Sequence, residues 1–261
     1  MSHLAWLLIA PLLFLATSGQ GIAQWTFTQT GGPFGGNVLS IAQSVNGTFF
    51  ICTSDGVFRS TDNGSTWKRV RQIQGSIDPA GGVTSLACSP RGEVFAALQD
   101  GLFISTDTGN TWRKLSFDIS GLTQLLADSY GALYTVRWPP RLSVSLDGGS
   151  TWSDLSTTLM RSDPGNWKLA VDSIGHLFLG TTVALYRSPS ASLSWSPTSI
   201  SAEFNDVYVD GEGTVFACMG SGLQVSTDGG DSWELRSSQW VNSIAGNSTG
   251  ALVFRWSTSF D

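Results

Sequence analysis

"STDNGSTW", Ser60 to Trp67, decides how this chain is read. The stretch returns as "STDTGNTW" at 105–112, "SLDGGSTW" at 145–152 and "STDGGDSW" at 226–233, and in worn form as "SPSASLSW" at 188–195. Successive copies start 38 to 45 residues apart. An acidic, hydroxyl-rich octapeptide met once suggests a catalytic carboxylate or a calcium loop. Met at a steady interval, it marks a supersecondary unit copied along the chain.

A second repeat lies upstream of each copy. It reads "SIAQSVNGTFF" from Ser40, "SLACSPRGEVF" from Ser85, "QLLADSYGALY" from Gln124, "KLAVDSIGHLF" from Lys168, "DVYVDGEGTVF" from Asp206 and "SIAGNSTGALV" from Ser243. Each is an apolar strand, a polar turn, a Gly and a second apolar strand. Gly47, Gly92, Gly131, Gly175, Gly213 and Gly250 are expected at positive φ, which Gly adopts without steric cost. In the second unit, strands are expected at Val83–Cys88, Glu93–Ala97 and Leu102–Ser105, with a fourth starting near Trp112. Asp-Gly at Asp55-Gly56 and Asp100-Gly101 reads as a hairpin turn. Four-stranded units of this length imply an all-β β-propeller of about six blades. A parallel β-helix has shorter repeats.

The pattern S-x-D-x-G-x-T-W resembles the Asp-box, or BNR repeat. Sialidases, some other glycoside hydrolases, sortilin-type receptors and photosystem II stability factor-type assembly proteins carry it. The resemblance covers nearly all of residues 24–261 and implies a propeller in which the box turns outside the blade, away from a central ligand site. Asp62, Asp107, Asp147 and Asp228 are then expected to accept hydrogen bonds from their own turns. Gly64, Gly109, Gly149 and Gly230 take the left-handed conformation, and Trp67, Trp112, Trp152, Trp195 and Trp233 pack between sheets. A calcium loop needs more acidic positions, so no metal is expected.

The two ends are read as follows. Leu4–Thr17 is apolar but shorter than the roughly 20 residues of a membrane span. With Gly21 and Ala23 behind it, residues 1–23 read as a secretory signal peptide cut after Ala23. An uncut anchor is the alternative. The mature chain, 24–261, is expected to be one secreted propeller with no membrane insertion. A sixth box is due near position 263, past Asp261, so the last blade reads as incomplete, the chain as truncated or the ring as loosely closed. Trp25 in "QWTFTQT" suggests an N-terminal strand that closes the last blade.

Composition narrows the function. A net charge of −6, a pI near 4.8 and the lack of a basic run argue against nucleic acid. Cys52, Cys88 and Cys218 lack zinc spacing and read as small buried hydrophobes. The sialidase arginine cluster and FRIP-type motif are not found, and a single His after position 3, His176, together with the lack of a GxSxG, argues against a Ser-His-Asp site. No cofactor is expected. Asp55 and Asp100 sit at matching turns, where Asp-Gly turn chemistry is the main reading and a glycosidase carboxylate pair the alternative. Ligand-binding candidates gather on the same loop face, at the end away from the boxes: Arg137, Trp138 and Arg141 in "VRWPPRL", then Arg161, Trp167, Trp240, Arg255 and Trp256. Trp and Arg on stiff loops suit recognition of a protein or glycan, and packing between blades is the other reading of these Trp residues. The leading expectation is a non-enzymatic binding propeller. The alternatives are an atypical sialidase-like glycoside hydrolase and an assembly factor.

Overall fold

Runs of five or six apolar-rich residues, each ended by a Gly-bearing polar turn, dictate short antiparallel strands. A computed structural model describes residues 38–53, 56–70, 83–98, 100–155, 165, 167–189, 194–246 and 252–256. The described residues form strands and turns without a helix, so none of their elements is a helix long and apolar enough to cross a membrane.

Sheet 1 is β1 (Val38–Gln43), β2 (Phe49–Thr53), β3 (Gly56–Ser60) and β4 (Lys68–Arg69). Sheet 2 is β5 (Val83–Cys88), β6 (Val94–Leu98), β7 (Gly101–Ser105) and β8 (Arg113–Lys114). Sheet 3 is β9 (Leu122–Ala127), β10 (Leu133–Arg137), β11 (Arg141–Ser145) and β12 (Ser153–Asp154). Sheet 4 is β13 (Lys168–Val171), β14 (Leu177–Gly180), β15 (Leu185–Ser188) and β16 (Ser196–Pro197). Sheet 5 is β17 (Phe204–Val209), β18 (Val215–Met219), β19 (Gly222–Ser226) and β20 (Glu234–Ser237), and sheet 6 is β21 (Val241–Gly246) with β22 (Leu252–Trp256). All pairings are antiparallel meanders. The architecture is a β-propeller, and the described residues form five four-stranded blades and two strands of a sixth. In the second unit β5 falls where the sequence places it, and β6 and β7 differ by one residue.

The strand period of two explains the core. On β6, Val94, Ala96 and Leu98 pack toward sheet 1 with Phe50, Cys52 and Val57. Phe95 and Ala97 point the other way and pack toward sheet 3 with Leu122, Leu125 and Leu133. On β18, Val215, Ala217 and Met219 face sheet 4, and Phe216 and Cys218 face sheet 6. Each middle strand is therefore apolar on both faces, and the core is a series of layers between blades. Burying a side chain such as Phe95 contributes about 2 kcal/mol.

The first strands of successive sheets lie side by side, β5 between β1 and β9 and β17 between β13 and β21. Their turns share one construction. The Oδ1 of Asp128 accepts the N–H of Tyr130 (2.9 Å) and Ala132 (2.8 Å). Asp172 does the same for Ile174 and His176, and Asp210 for Glu212 and Thr214. Gly47, Gly92, Gly131, Gly175 and Gly213 close these turns at φ between 81° and 88°. Gly250 and the proposed closing strand at Trp25 lie outside the described residues.

Candidate functional site

Each box folds around its own carboxylate. Asp62 accepts the Ser60 hydroxyl (2.7 Å), the Thr66 N–H (2.8 Å) and the Thr66 hydroxyl (2.5 Å), while Ser60 Oγ accepts the Gly64 N–H at 2.8 Å. Asp107, Asp147 and Asp228 repeat this arrangement. Three of the carboxylate's roughly four acceptor directions are spent on its own turn, which suits a structural role. The turn needs two left-handed residues, one more than the sequence suggests. Asn63, Thr108, Gly148 and Gly229 precede the box glycines, and all have positive φ. Thr108, at 60°, is the strained member, because β-branched residues rarely adopt that region.

The box is also a joint between blades. A Cβ on Gly149 would lie 2.7 Å from Leu115 of the preceding blade, and one on Gly230 would lie 2.7 Å from Thr198. Trp112, Trp152 and Trp233 each donate their indole N–H to the box Gly carbonyl at 3.1–3.2 Å and pack into the layer shared with the preceding blade. Returning the contact, Arg59 donates to the Thr108 carbonyl at 2.6 Å and Arg187 to the Gly229 carbonyl at 2.7 Å.

These bonds set an acid limit. The Thr66 hydroxyl, followed by the Thr66 N–H, pulls Asp62 from 3.8 to about 2. Asp107 and Asp147 drop to about 2 for the same reason, and Asp228 falls further, its Ser232 hydroxyl bond leading. A carboxylate depressed on folding contributes stability that is full above its unfolded pKa and lost as pH falls through the folded one. The melting temperature is therefore expected to hold down to about pH 5 and fall between about pH 4 and 2. Asp62→Asn should lower it at neutral pH without altering ligand binding. A flat melting profile down to about pH 2 would contradict this account of the boxes.

A second set of contacts circles the centre. Ser40 Oγ accepts the Leu86 N–H (3.1 Å), Ser85 Oγ the Leu125 N–H (3.0 Å), and Gln124 both accepts the Leu169 N–H and donates to its carbonyl (2.9 Å each). Asp206 Oδ2 accepts the Ile244 N–H and the Ser243 hydroxyl, both at 3.1 Å. These donors and acceptors are the first residues of the upstream repeat, reaching one blade onward. In each of these blades a β-bulge precedes the polar residue, as between Val38 and Ser40 and between Phe204 and Asp206. A bulge re-aims a side chain. Lys168 holds the same place in sheet 4, where the ammonium cannot accept an N–H and the register runs on without a shift. There the Val207 N–H bonds Asp206 Oδ1 at 3.0 Å. Burial pushes Asp206 up, and the Ile244 N–H and the Lys168 charge oppose it.

The opposite end carries the loops. In blade 3, β10 and β11 close with Arg137 opposite Arg141, leaving Trp138-Pro139-Pro140 as the loop, and the Trp138–Pro139 bond is cis. The connection from blade 2 braces it. Trp138 donates its N–H to the Gly121 carbonyl at 2.6 Å, and Arg137 donates to the Asp118 carbonyl at 3.0 Å. The Arg137 guanidinium lies 5.2 Å over the Phe117 ring, which stacks on Trp152 at 4.1 Å. Thus held, the Trp138 side chain is 51% exposed. Arg141 is exposed beside it. Alongside runs a cleft of about 430 Å³ lined by Asp100, Lys114, Phe117, Asp118 and Ser120. The Ser120 hydroxyl, its N–H and Arg137 hold the Asp118 carboxyl below the usual carboxylate range.

The other candidates are scattered. Trp240, 49% exposed, leads into β21. Trp167, 2% exposed, lies in the layer between blades 3 and 4 and presents nothing to a ligand. Arg255 and Trp256 lie on β22 opposite Ser243 and Val241. Asp55 and Arg161 lie outside the described residues. Phe117, Asp118 and Gly121, which brace the loop, carry no motif that marks them. The bonding role of Ser40, Ser85, Gln124 and Asp206 was open to detection, since a polar residue heads each upstream repeat. The three thiols are free, Cys52 and Cys218 buried and Cys88 half-buried. Burial pushes Cys52 up to about 11 and Cys88 to about 12, which keeps them protonated.

Comparison with known proteins agrees with this geometry. The BNR/Asp-box repeat family matches residues 224–235, the fifth-blade box. No curated protein matches the chain. Among solved structures, the chain is similar to YCF48 bound to D1 peptide, with a TM-score of 0.66, 14% identity, and coverage of 85% of this chain and 77% of that one. It is similar to the GH74 xyloglucanase from Xanthomonas campestris, with a TM-score of 0.65, 17% identity, and coverage of 80% of this chain but only 33% of the enzyme. It is also similar to the nidogen/laminin complex, with a TM-score of 0.56, 14% identity, and coverage of 72% and 74%. Identities this low speak for a shared fold, a β-propeller of the BNR type.

Proposed function

We propose that this BNR/Asp-box propeller is a secreted, non-enzymatic binding module that takes a protein or glycan on its loop face, with Trp138 as the anchor. The observation that carries this is the brace around Trp138. The backbone that carries this half-exposed aromatic residue is fixed by its N–H bond to Gly121, and Arg137 next to it is tied to Phe117 and Asp118. A backbone fixed before binding has less freedom to lose on contact, and Trp is a common hot spot. Arg141 beside it supplies a charged donor. Propellers of similar fold that bind a peptide or a protein partner support the reading.

A second reading, glycan hydrolysis, is favoured by one observation: Asp100 and Asp118 line a single cleft, and a GH74 enzyme shares the fold. A peptide array and a glycan array, run beside a fluorogenic glycoside panel, separate the two. Trp138→Ala is expected to weaken binding of the array hit by about 30-fold or more, with an unchanged melting temperature. Full binding by that variant would sink the proposal, and turnover lost in Asp100→Asn would establish hydrolysis instead.

A further inference from the structure

The basic residues of this acidic chain are not evenly spread over its rim. The outer strands of blades 1 and 2, namely β3, β4, β7 and β8, hold Arg59, Lys68, Arg69, Arg113 and Lys114 and no Asp or Glu. The two adjacent basic pairs of the sequence, Lys68-Arg69 and Arg113-Lys114, occupy the same edge-strand positions in neighbouring blades, and all four side chains are exposed. Pairing fixes their directions. Lys68 lies opposite Arg59, which reaches across to the Thr108 carbonyl of blade 2. Lys114 lies opposite Phe103, which packs into the layer shared with blade 1, and its ammonium sits 5.8 Å from that ring. Lys68 and Lys114 therefore lie on the facing sides of blades 1 and 2, with Arg69 and Arg113 on the far sides, and Lys114 reaches over Gly101 to the cleft it shares with Asp100 and Asp118.

Elsewhere the rim is neutralised. The fourth strands of blades 3 and 4 are Ser153–Asp154 and Ser196–Pro197. Arg187 pairs with Asp231 at 2.6 Å and Arg236 with Glu234 at 3.1 Å. Charges on an edge strand also prevent sheets from pairing edge to edge. Blades 3 to 5 meet that need with short strands, a Pro and mixed charges, without collecting positive charge.

We infer that the outer edge of blades 1 and 2 is a binding site for a linear anionic polysaccharide, carboxylated or sulfated, lying across the exposed basic pairs of β4 and β8. Two features select this partner. Neither edge strand carries an exposed aromatic or large aliphatic side chain, so the desolvated core of a protein interface is missing. Four exposed cations gather on these two short strands, which limits the counterion release that drives binding of duplex DNA.

The test uses the whole chain with heparin, polygalacturonate and a 24-base-pair DNA duplex, titrated at about 50 and 200 mM salt. One of the polysaccharides is expected to bind at low salt and to weaken about tenfold or more at high salt. Replacing Lys68, Arg69, Arg113 and Lys114 by Gln should lower its affinity about tenfold or more while the melting temperature stays the same. The double variant Arg91→Gln, Arg236→Gln should change it less than about twofold. Heparin against polygalacturonate decides between sulfate and carboxylate. Failure of both to bind, tighter binding of the duplex, or an equal loss in the double variant would overturn the inference.

Discussion

Replacing Gly121 by Ala is expected to cost about 3 kcal/mol of folding stability or more and to release the Trp138 loop. Two effects combine. Gly121 sits at φ 71°, a conformation that costs an L-residue about 1–2 kcal/mol. The added Cβ would also fall 1.8 Å from the Trp138 carbonyl oxygen, a backbone atom that cannot rotate away. Either the connection from blade 2 or the loop of blade 3 must move, and the Trp138-to-Gly121 hydrogen bond goes with it. Gly47→Ala separates the two contributions. Its φ is 81°, but a Cβ there would meet nothing within 4 Å, so about 1 kcal/mol is expected. Urea denaturation of both variants measures the difference. Equal losses would mean that the clasp between the loops has slack, and that Trp138 is not held by it.

The second large effect is expected at Asp206. Its two oxygens accept the Ile244 N–H, the Ser243 hydroxyl and the Val207 N–H, so one side chain joins blade 5 to blade 6 and also serves the N–H that Lys168 cannot. Asp206→Ala strands half-buried donors and should destabilise the protein by about 3 kcal/mol, since bonds to charged groups contribute about 1.5–3 kcal/mol. Asp206→Asn keeps one acceptor oxygen and should lose less. Amide exchange at Ile244 is the local readout, and it should speed up in the Ala variant ahead of Leu86 and Leu125, whose bonds to Ser40 and Ser85 are untouched. A loss below about 1 kcal/mol would show that packing alone holds these blades together.

Local chemistry made the blades readable. Box carboxylates, turn glycines and apolar runs act over a few residues, so their spacing carries the repeat, the four-strand unit and β5 to the residue. The second left-handed residue of the box was hidden at Thr108, because a β-branched residue does not advertise a positive φ and only the closed turn demands it. The candidate site was half legible. Arg137, Trp138 and Arg141 stand out by composition. Phe117, Asp118 and Gly121 do not, because their part in the site comes from two connections meeting end to end. Trp167 and Trp138 look alike in sequence, yet one is walled in between blades and the other stands in solvent.

By itself, then, the sequence determined what depends on short range: the strand period, the turns, the box and the number of repeats. Tertiary structure alone decided what depends on blades meeting: that Arg59 and Arg187 clamp the next box, that Asp206 covers for Lys168, that Gly121 braces Trp138, and that two basic pairs 45 residues apart lie on neighbouring edge strands. The reason is geometric. A backbone hydrogen bond or a φ angle involves near neighbours along the chain, whereas a contact between blades joins residues a whole repeat apart, and nothing at either residue names its partner.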